Sequence, residues 1–359
     1  MATIKKTDHG TWTLRYRDPT GRQIRITFKS HAEAQAERAQ VETDMLKGVY
    51  IDPKASRISF GEWAARWIDT RKHLKPKTLD GYESLLHVHL LPRFGNTPLR
   101  AIDYLDVEAF IAELTDSGLS PSRTRQAHQL LSMILKAAVR SRRIGINPAE
   151  GVSLPRANKR PMRFIDSDEV ARLADAVPDR YETFIYVAAY GGLRWAELVG
   201  LKRKRVNLLK RRLHVAETLS DVRGELIWTG TKNHQTRDVA LPGFVIDGLA
   251  EHLNRYTAPD PDTLVFTTES GTPLRSPNFR RSIWLPATSE ANLDGLTPHH
   301  LRHTCASLLI SEGAHVRQVM EQLGHSSINV TMNTYAKVFP DDMDDLADRL
   351  EQRHRSQNG

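Results

Sequence analysis

One cysteine, Cys305, occurs in 359 residues, which excludes an internal disulfide framework and any zinc module built on several cysteines. Long apolar runs are missing as well. No stretch approaches the roughly 20 residues of a membrane span, and the opening MATIKKTDHG has no hydrophobic signal core. These absences predict a cytoplasmic protein with no membrane partner. Acidic excess is absent from the front of the chain: residues 1–57 hold 11 Lys/Arg against 7 Asp/Glu, and residues 58–160 hold 16 against 10. The remainder holds 24 against 26, so the formal net charge of +8 comes from the first 160 residues. That distribution suits backbone-phosphate affinity at the front and a concentrated site behind it, although a solvated basic surface would look the same. With 40% hydrophobic and 26% charged residues, the composition is that of a globular chain long enough for two or three domains.

Residues 11–28 predict a β-hairpin. Trp12, Leu14 and Tyr16 alternate, Asp18-Pro19-Thr20-Gly21 turns, and Ile24, Ile26 and Phe28 alternate again. The other face carries Arg15, Arg17, Arg25 and Lys29, and a basic ribbon can lie in a DNA groove. Ser30 then caps a helix that ends at Gly48, closing a small unit over 1–50. From Ile58 to Asn147 the apolar period is helical throughout, through Phe60, Trp63 and Trp67, Leu85, Leu86 and Leu90, Phe110 and Leu114, and Leu130 to Ala137. About four helices are expected, broken at Pro92-Arg93-Phe94-Gly95 and at Gly118-Leu119-Ser120-Pro121. Residues 148–161 contain Pro, Gly and basic residues without a period and read as a linker.

The region 162–345 mixes helices with short strands. An Asp166-capped helix, a helix over Arg180–Tyr190 and a stop at Gly191-Gly192 come first. Alternation at Leu213-His214-Val215, at Glu225–Trp228 and at Arg237–Pro242 predicts one small antiparallel sheet. A helix over Phe244–Tyr256, a short strand Leu264-Val265-Phe266 and a helix over Asn278–Leu285 follow, and Met343–Leu350 forms a short acidic amphipathic helix before the 346–359 tail. The fold class is mainly α with small β-sheets, an α+β arrangement.

Chemistry concentrates between Leu296 and Lys337. Thr297 can cap a helix with Pro298 at its first position, which puts His299 and Arg302 one turn apart on one face near an anion-favouring N-terminus. Leu323-Gly324-His325 breaks the next helix and brings another imidazole into a turn, and Tyr335 follows. An arginine can pair with a phosphate and a tyrosine oxygen can form a covalent ester, so the set could hold and attack a phosphodiester. His299 and His303 at i and i+4 also resemble half of a zinc-protease site, but His300 stands where HExxH requires Glu, and no metal is expected. Each of these residues taken alone could be a buried structural side chain.

Together the boxes resemble the tyrosine recombinases, the phage-type integrases, which carry an H-x-x-R box, an L-G-H box and a C-terminal Tyr. His299-His300-Leu301-Arg302-His303, Leu323-Gly324-His325 and Tyr335 match in order, and Leu193-Arg194-Trp195-Ala196-Glu197-Leu198 after the double glycine matches the family's first arginine box. The resemblance implies Arg194, Lys232, His299, Arg302, His325 and the nucleophile Tyr335 as catalytic residues, with Glu197 and His303 in support. Lys232 is carried over because the family places a lysine on such a hairpin turn, here within T-K-x-x-x-x-R. The implied layout is an arm-type DNA-binding unit over 1–50, a helical SAM-like core-binding domain over 58–147, the linker, a catalytic domain over 162–345 and the tail. Lys75, Lys77, Arg123, Arg125, Arg140, Arg142 and Arg143, with Lys159 and Arg160 of the linker, would join Arg15, Arg17 and Arg25 on DNA. The implied activity is site-specific recombination through a 3′-phosphotyrosyl intermediate, integrating or excising a phage or other mobile element, without metal or cofactor. Implied partners are double-stranded attachment sites, a homo-tetramer on DNA, an excision or directionality factor and a host DNA-bending protein, in a nucleoid-associated location. A type IB topoisomerase and a non-catalytic DNA-binding regulator remain the alternatives.

Overall fold

The computed structural model describes residues 2–19, 21–47, 50, 57–156, 163–230, 236–339 and 343–358. The chain divides into two compact units, residues 1–159 and 160–359.

The first unit has two separate cores. Strands β1 (Thr3–Lys6), β2 (Trp12–Arg17) and β3 (Gln23–Phe28) form an antiparallel sheet with β2 in the middle. The expected hairpin therefore gains a third strand, and β1 escaped the sequence because TIKK has no apolar alternation to betray it. Leu14, Tyr16 and Ile24 are buried on one face together with Val41 of helix α1 (His31–Leu46). Ser30 and Glu33 close a reciprocal capping box at the start of α1. On the opposite face Arg15 lies directly across from Arg25, and the two side chains are exposed. Like charges in register destabilise a bare ribbon, so this face gains when it meets an anion.

Helix α2 (Phe60–Asp69), helix α3 (Pro76–Leu85), α4 (Leu91–Phe94), α5 (Tyr104–Asp116) and α6 (Pro121–Arg140) build the second core. Pro92 does not break its rod. A π-turn over Leu86–Leu90 re-registers the hydrogen bonds between α3 and α4, and the rod stops only at Gly95. Phe60, Phe94 and Phe110 fill the centre, and burying a side chain of this kind stabilises by about 1.5–3 kcal/mol. Ala149 and Val152 are buried in the same core. Residues expected to begin the linker are thus packed, because two small apolar side chains suffice to seat an aperiodic segment. Lys159 and Arg160 lie outside the described residues.

The second unit opens with α7 (Ser167–Asp175), capped by Asp166 and Glu169, then α8 (Asp179–Gly191) and the single turn α9 (Trp195–Leu198). Strands β4 (Val206–Asn207) and β5 (Arg212–Val215), the hairpin β6 (Glu217–Val222) and β7 (Glu225–Gly230), and β8 (Arg237–Ala240) follow. They form two sheets, β4-β5-β8 and β6-β7, in place of the one expected. The ETLSDV of β6 is too polar to show apolar alternation, and β7 pairs with it rather than with β5 or β8. Helix α10 (Gly243–Tyr256) is as expected, whereas Leu264 makes only an isolated bridge to Lys202, so no strand forms over 264–266. Helices α11 (Ser276–Phe279) and α12 (Leu285–Glu290) are joined by a π-turn over Arg280–Trp284 just ahead of Pro286, the arrangement already seen at Pro92. Then come α13 (Pro298–Ser311), α14 (Val316–Leu323), α15 (Ile328–Tyr335) and α16 (Met343–Asn358). Phe184, Phe266 and Trp284 anchor the main core, and Cys305, Ile310, Val319, Leu323 and Tyr335 form a satellite core.

Candidate active site

Three guanidiniums and one carboxylate meet where α8, α9, β8, α13 and α14 converge. Arg302, on the second turn of α13, is only 3% exposed. It donates from Nη1 to the Gly192 carbonyl at 2.6 Å and from Nη2 to the Leu323 carbonyl at 2.5 Å. Two backbone carbonyls, one after α8 and one at the end of α14, hold a buried cation that forms no ion pair with a carboxylate among the described residues. Burial, with Arg194 beside it, brings its pKa down to about 10, so it remains charged at neutral pH.

Arg194 sits at the N-cap of α9 and donates from Nη1 to Glu197 Oε1 at 2.8 Å and from Nη2 to the Gly324 carbonyl at 3.0 Å. Glu197 is 2% exposed and also accepts the Arg194 backbone N–H at 2.8 Å. It is therefore not one half of a surface pair. Burial alone would raise its carboxyl, but Arg237 and Arg194 outweigh that and hold it at about 2. Arg237, at the start of β8, meets both carboxylate oxygens, at 3.0 and 2.8 Å. In the sequence it stands out only as the last letter of T-K-x-x-x-x-R. A clearer signal would have been the need of a buried glutamate between arginines for a second partner.

Two glycines set the path of the carbonyls. Gly192 ends α8 with φ +64°, and a Cβ there would come within 2.6 Å of the Leu323 side chain and 2.9 Å of Cys305 Sγ. Gly324 ends α14 with φ +66°, where a Cβ would lie 2.8–2.9 Å from the Arg237 side chain. Both positions combine a left-handed backbone with no room for a side chain.

Tyr335, at the end of α15, is 1% exposed. Its hydroxyl meets His303 Nδ1 at 2.7 Å, and its ring stacks on His325 at 6.2 Å between centroids and 10° between planes. Burial pushes the phenol up to about 12. Burial and the neighbouring cations pull His303 and His325 down to about 4, and His299, mainly by burial, below its ordinary 6.5. At neutral pH these imidazoles are uncharged, and in the tautomer that carries its hydrogen on Nε2, His303 Nδ1 is the acceptor for the phenol proton. His299 packs edge-on against His303 at 4.8 Å, and His325 Nδ1 meets Thr331 Oγ1 at 2.8 Å. At the head of α13, Pro298 takes the first position and His300 Nδ1 accepts the Thr297 N–H at 2.9 Å, so this histidine closes the cap rather than facing a ligand.

Seven of the eight expected catalytic and supporting residues thus meet in one place: Arg194, Glu197, His299, Arg302, His303, His325 and Tyr335. Lys232 lies outside the described residues. In the first unit Arg15, Arg17, Arg25, Lys75, Lys77, Arg125, Arg140 and Arg142 are exposed. Arg123 is half-buried against Ser84 and Gln126, Arg125 donates to the Pro155 carbonyl, and half-buried Arg143 lies over the Trp63 ring. Among the described residues no group of three His, Cys, Asp or Glu side chains could hold a metal ion, and no helix is long and apolar enough to cross a membrane.

An electropositive, largely buried cluster of fixed guanidiniums and a phenol is the equipment of phosphoryl transfer on a phosphodiester. The phage integrase family model matches residues 163–341, and the model of the phage integrase N-terminal SAM-like domain matches residues 59–115. The chain belongs to the phage integrase family, the tyrosine recombinases, and is a site-specific DNA strand transferase. It is 28% identical over 340 residues to a putative prophage phiRv2 integrase of Mycobacterium tuberculosis, covering 92% of this chain and 89% of that one. Its fold is similar to that of the Tn1549 transposon integrase solved with a circular intermediate DNA, with TM-score 0.71, 18% identity, and coverage of 82% and 99% of the two chains. It is also similar to lambda integrase, solved as a tetramer on a Holliday junction, with TM-score 0.57, 18% identity, and coverage of 90% and 95%.

Proposed function

We propose that Tyr335 attacks the scissile phosphate of an attachment site to give a 3′-phosphotyrosyl ester, and that the enzyme uses this bond to integrate or excise a mobile element. The single observation that carries the reading is the pairing of Tyr335 with an uncharged imidazole at 2.7 Å, on the same helix as a buried Arg302 fixed to two carbonyls. Tyr335 Oη forms the new P–O bond while its proton passes to His303 Nδ1, and the P–O5′ bond breaks. Arg194 and Arg302 each spend two N–H groups on the protein and direct the others at the nonbridging oxygens, where charge grows in the transition state. His299 and His325, both uncharged, donate N–H to the same phosphate. Lys232 is assigned the proton for the departing 5′-oxygen on the family resemblance. Attack of a 5′-hydroxyl from another strand on the tyrosyl ester restores the phenol and joins the strands, with no net loss of phosphodiester bonds.

The domain roles go with this reading: 1–50 grips arm-type sites, 58–147 with the packed Ala149 and Val152 grips the core site, and the rest of the expected linker up to 161 joins them to the catalytic region. The exposed arginines of β2 and β3 support the first assignment and the basic helices the second. The lambda tetramer supports a homo-tetramer on DNA here, with a directionality factor and a DNA-bending protein choosing the outcome. A nucleoid location follows from binding duplex DNA.

The test is covalent trapping on a nicked attachment-site duplex, wild type beside Tyr335→Phe, in EDTA. A protein–DNA adduct from wild type alone is expected. An adduct that survives Tyr335→Phe moves the nucleophile elsewhere, and tight binding without any adduct makes the chain a regulator.

A further inference from the structure

Among the three guanidiniums, Arg237 is used differently. Arg194 and Arg302 are each tied at two of their three nitrogens, whereas Arg237 is tied to the protein at all three: Nη1 and Nη2 to Glu197 and Nε to the Gln322 carbonyl at 3.0 Å. Its side chain is 11% exposed, and it fills the space that Gly324 leaves by lacking a Cβ. A second bond set ties the same strand to the same helix. Gln322 donates from Nε2 to the Ala240 carbonyl at 2.8 Å and accepts the Ala240 N–H at 3.1 Å. Strand β8 and the end of α14 are therefore clamped together directly beneath Arg194.

We propose that Arg237 is a positioning residue for the cleavage reaction: through Glu197 it fixes Arg194 in its phosphate-binding pose, and it touches no substrate atom itself. The proposal rests on the assignment of Arg194 to the phosphate. An incoming phosphate competes with Glu197 for the Arg194 guanidinium. Glu197 is buried and already shared, so it can release part of that attraction only because Arg237 continues to balance its charge. Without Arg237 two failures follow. Glu197 would draw Arg194 toward itself and away from the phosphate, and, left with one partner in a buried place, it would take up a proton more readily and lose acceptors for the Arg194 N–H groups. A residue that merely supported the fold would produce neither effect.

The experiment measures single-turnover covalent cleavage of the nicked duplex at saturating enzyme, together with duplex affinity and thermal unfolding, for wild type, Arg237→Lys, Arg237→Gln, Glu197→Gln and the double variant Glu197→Gln/Arg237→Gln. The expected result is a cleavage rate about 100-fold lower for Arg237→Gln with duplex affinity nearly unchanged, the size that misplacement of a catalytic group produces. Arg237→Lys restores part of the rate, because the charge returns without the fork. Cleavage by Arg237→Gln rises with pH between about pH 5 and pH 8, as Glu197 ionises, while wild type shows no such limb. In the Glu197→Gln background the further change to Gln at 237 costs little, since the charge it balanced is gone. Additive losses in the double variant overturn the proposal, as does an Arg237→Gln rate equal to wild type. If Arg237→Gln unfolds, the cycle is read from Arg237→Lys with and without Glu197→Gln, and additive losses there overturn it equally. Absence of any adduct from wild type would instead sink the assignment of Tyr335 and Arg194 on which the proposal stands.

Discussion

The two units use arginine in opposite ways. In the first, Arg15 and Arg25 stand opposite one another on an exposed sheet face, Arg140 and Arg142 project from the end of α6, and the set is spread over two separate cores. In the second, Arg194, Arg237 and Arg302 converge around one buried glutamate and are bound to carbonyls of Gly192, Gln322, Leu323 and Gly324. Spread charge in high dielectric attracts a polyanion at long range, and each residue contributes a small, salt-sensitive share. Converged charge with little water acts on one phosphate and is worth far more per residue, but only if the backbone already holds it in place. On the proposed function, affinity and chemistry are thereby separated along the chain.

The sharpest way to break this comparison is Arg302→Ala. Cleavage at saturating enzyme is expected to fall by about 10³-fold, on the scale of losing a principal donor to the transition-state oxyanion, while duplex affinity changes little. If the loss appears as affinity instead, the buried set is only another binding surface.

Acid titration gives a middle-sized effect concentrated in the second unit. His303 and His325 have pKa values near 4 in the folded chain against an ordinary 6.5, so between these values the unfolded chain binds protons that the folded one does not. Stability must then be complete above about 6.5 and fall as pH drops toward about 4. The urea midpoint of the second unit's transition is expected to be lower at pH 5 than at pH 7, with His325→Asn flattening the difference; equal midpoints in wild type would mean that these imidazoles are not desolvated.

The smallest effect belongs to the spread set. Arg15→Ala should weaken duplex binding a few-fold and reduce the salt slope by about one, leaving cleavage at saturating enzyme unchanged. A change in cleavage rate there would blur the division of labour.

Much of this was legible in the sequence because helices advertise themselves. The apolar period of 60–140 predicted its four rods, and Thr297-Pro298, Ser30 and Asp166 marked helix starts that the structure contains. Polar strands were not legible: β1 and β6 carry too little alternation, and missing β6 merged two sheets into one. At the site, the boxes stood out because phosphate chemistry needs a small set of residue types in order. Two contacts had no such signal. Arg237 lies 40 residues from Glu197, and His303 lies 32 residues from Tyr335, with nothing local to pair them. Only the packing of β8 and α15 against α13 and α14 brings those partners within reach.

The anchors of Arg302 are peptide oxygens, and at Leu323, unlike Gly192, that oxygen survives a change of the side chain on the residue that carries it. Exchanging Leu323 for another apolar side chain leaves its carbonyl available to the guanidinium, whereas gaining or losing one residue in the turn at 313–315, between α13 and α14, would rotate that carbonyl out of line. Away from Gly192 and Gly324, the geometry that holds the cation is therefore robust to spelling and sensitive to counting. The two glycines apart, exchange of side chains is expected to leave this anchor intact, and insertion or deletion to break it.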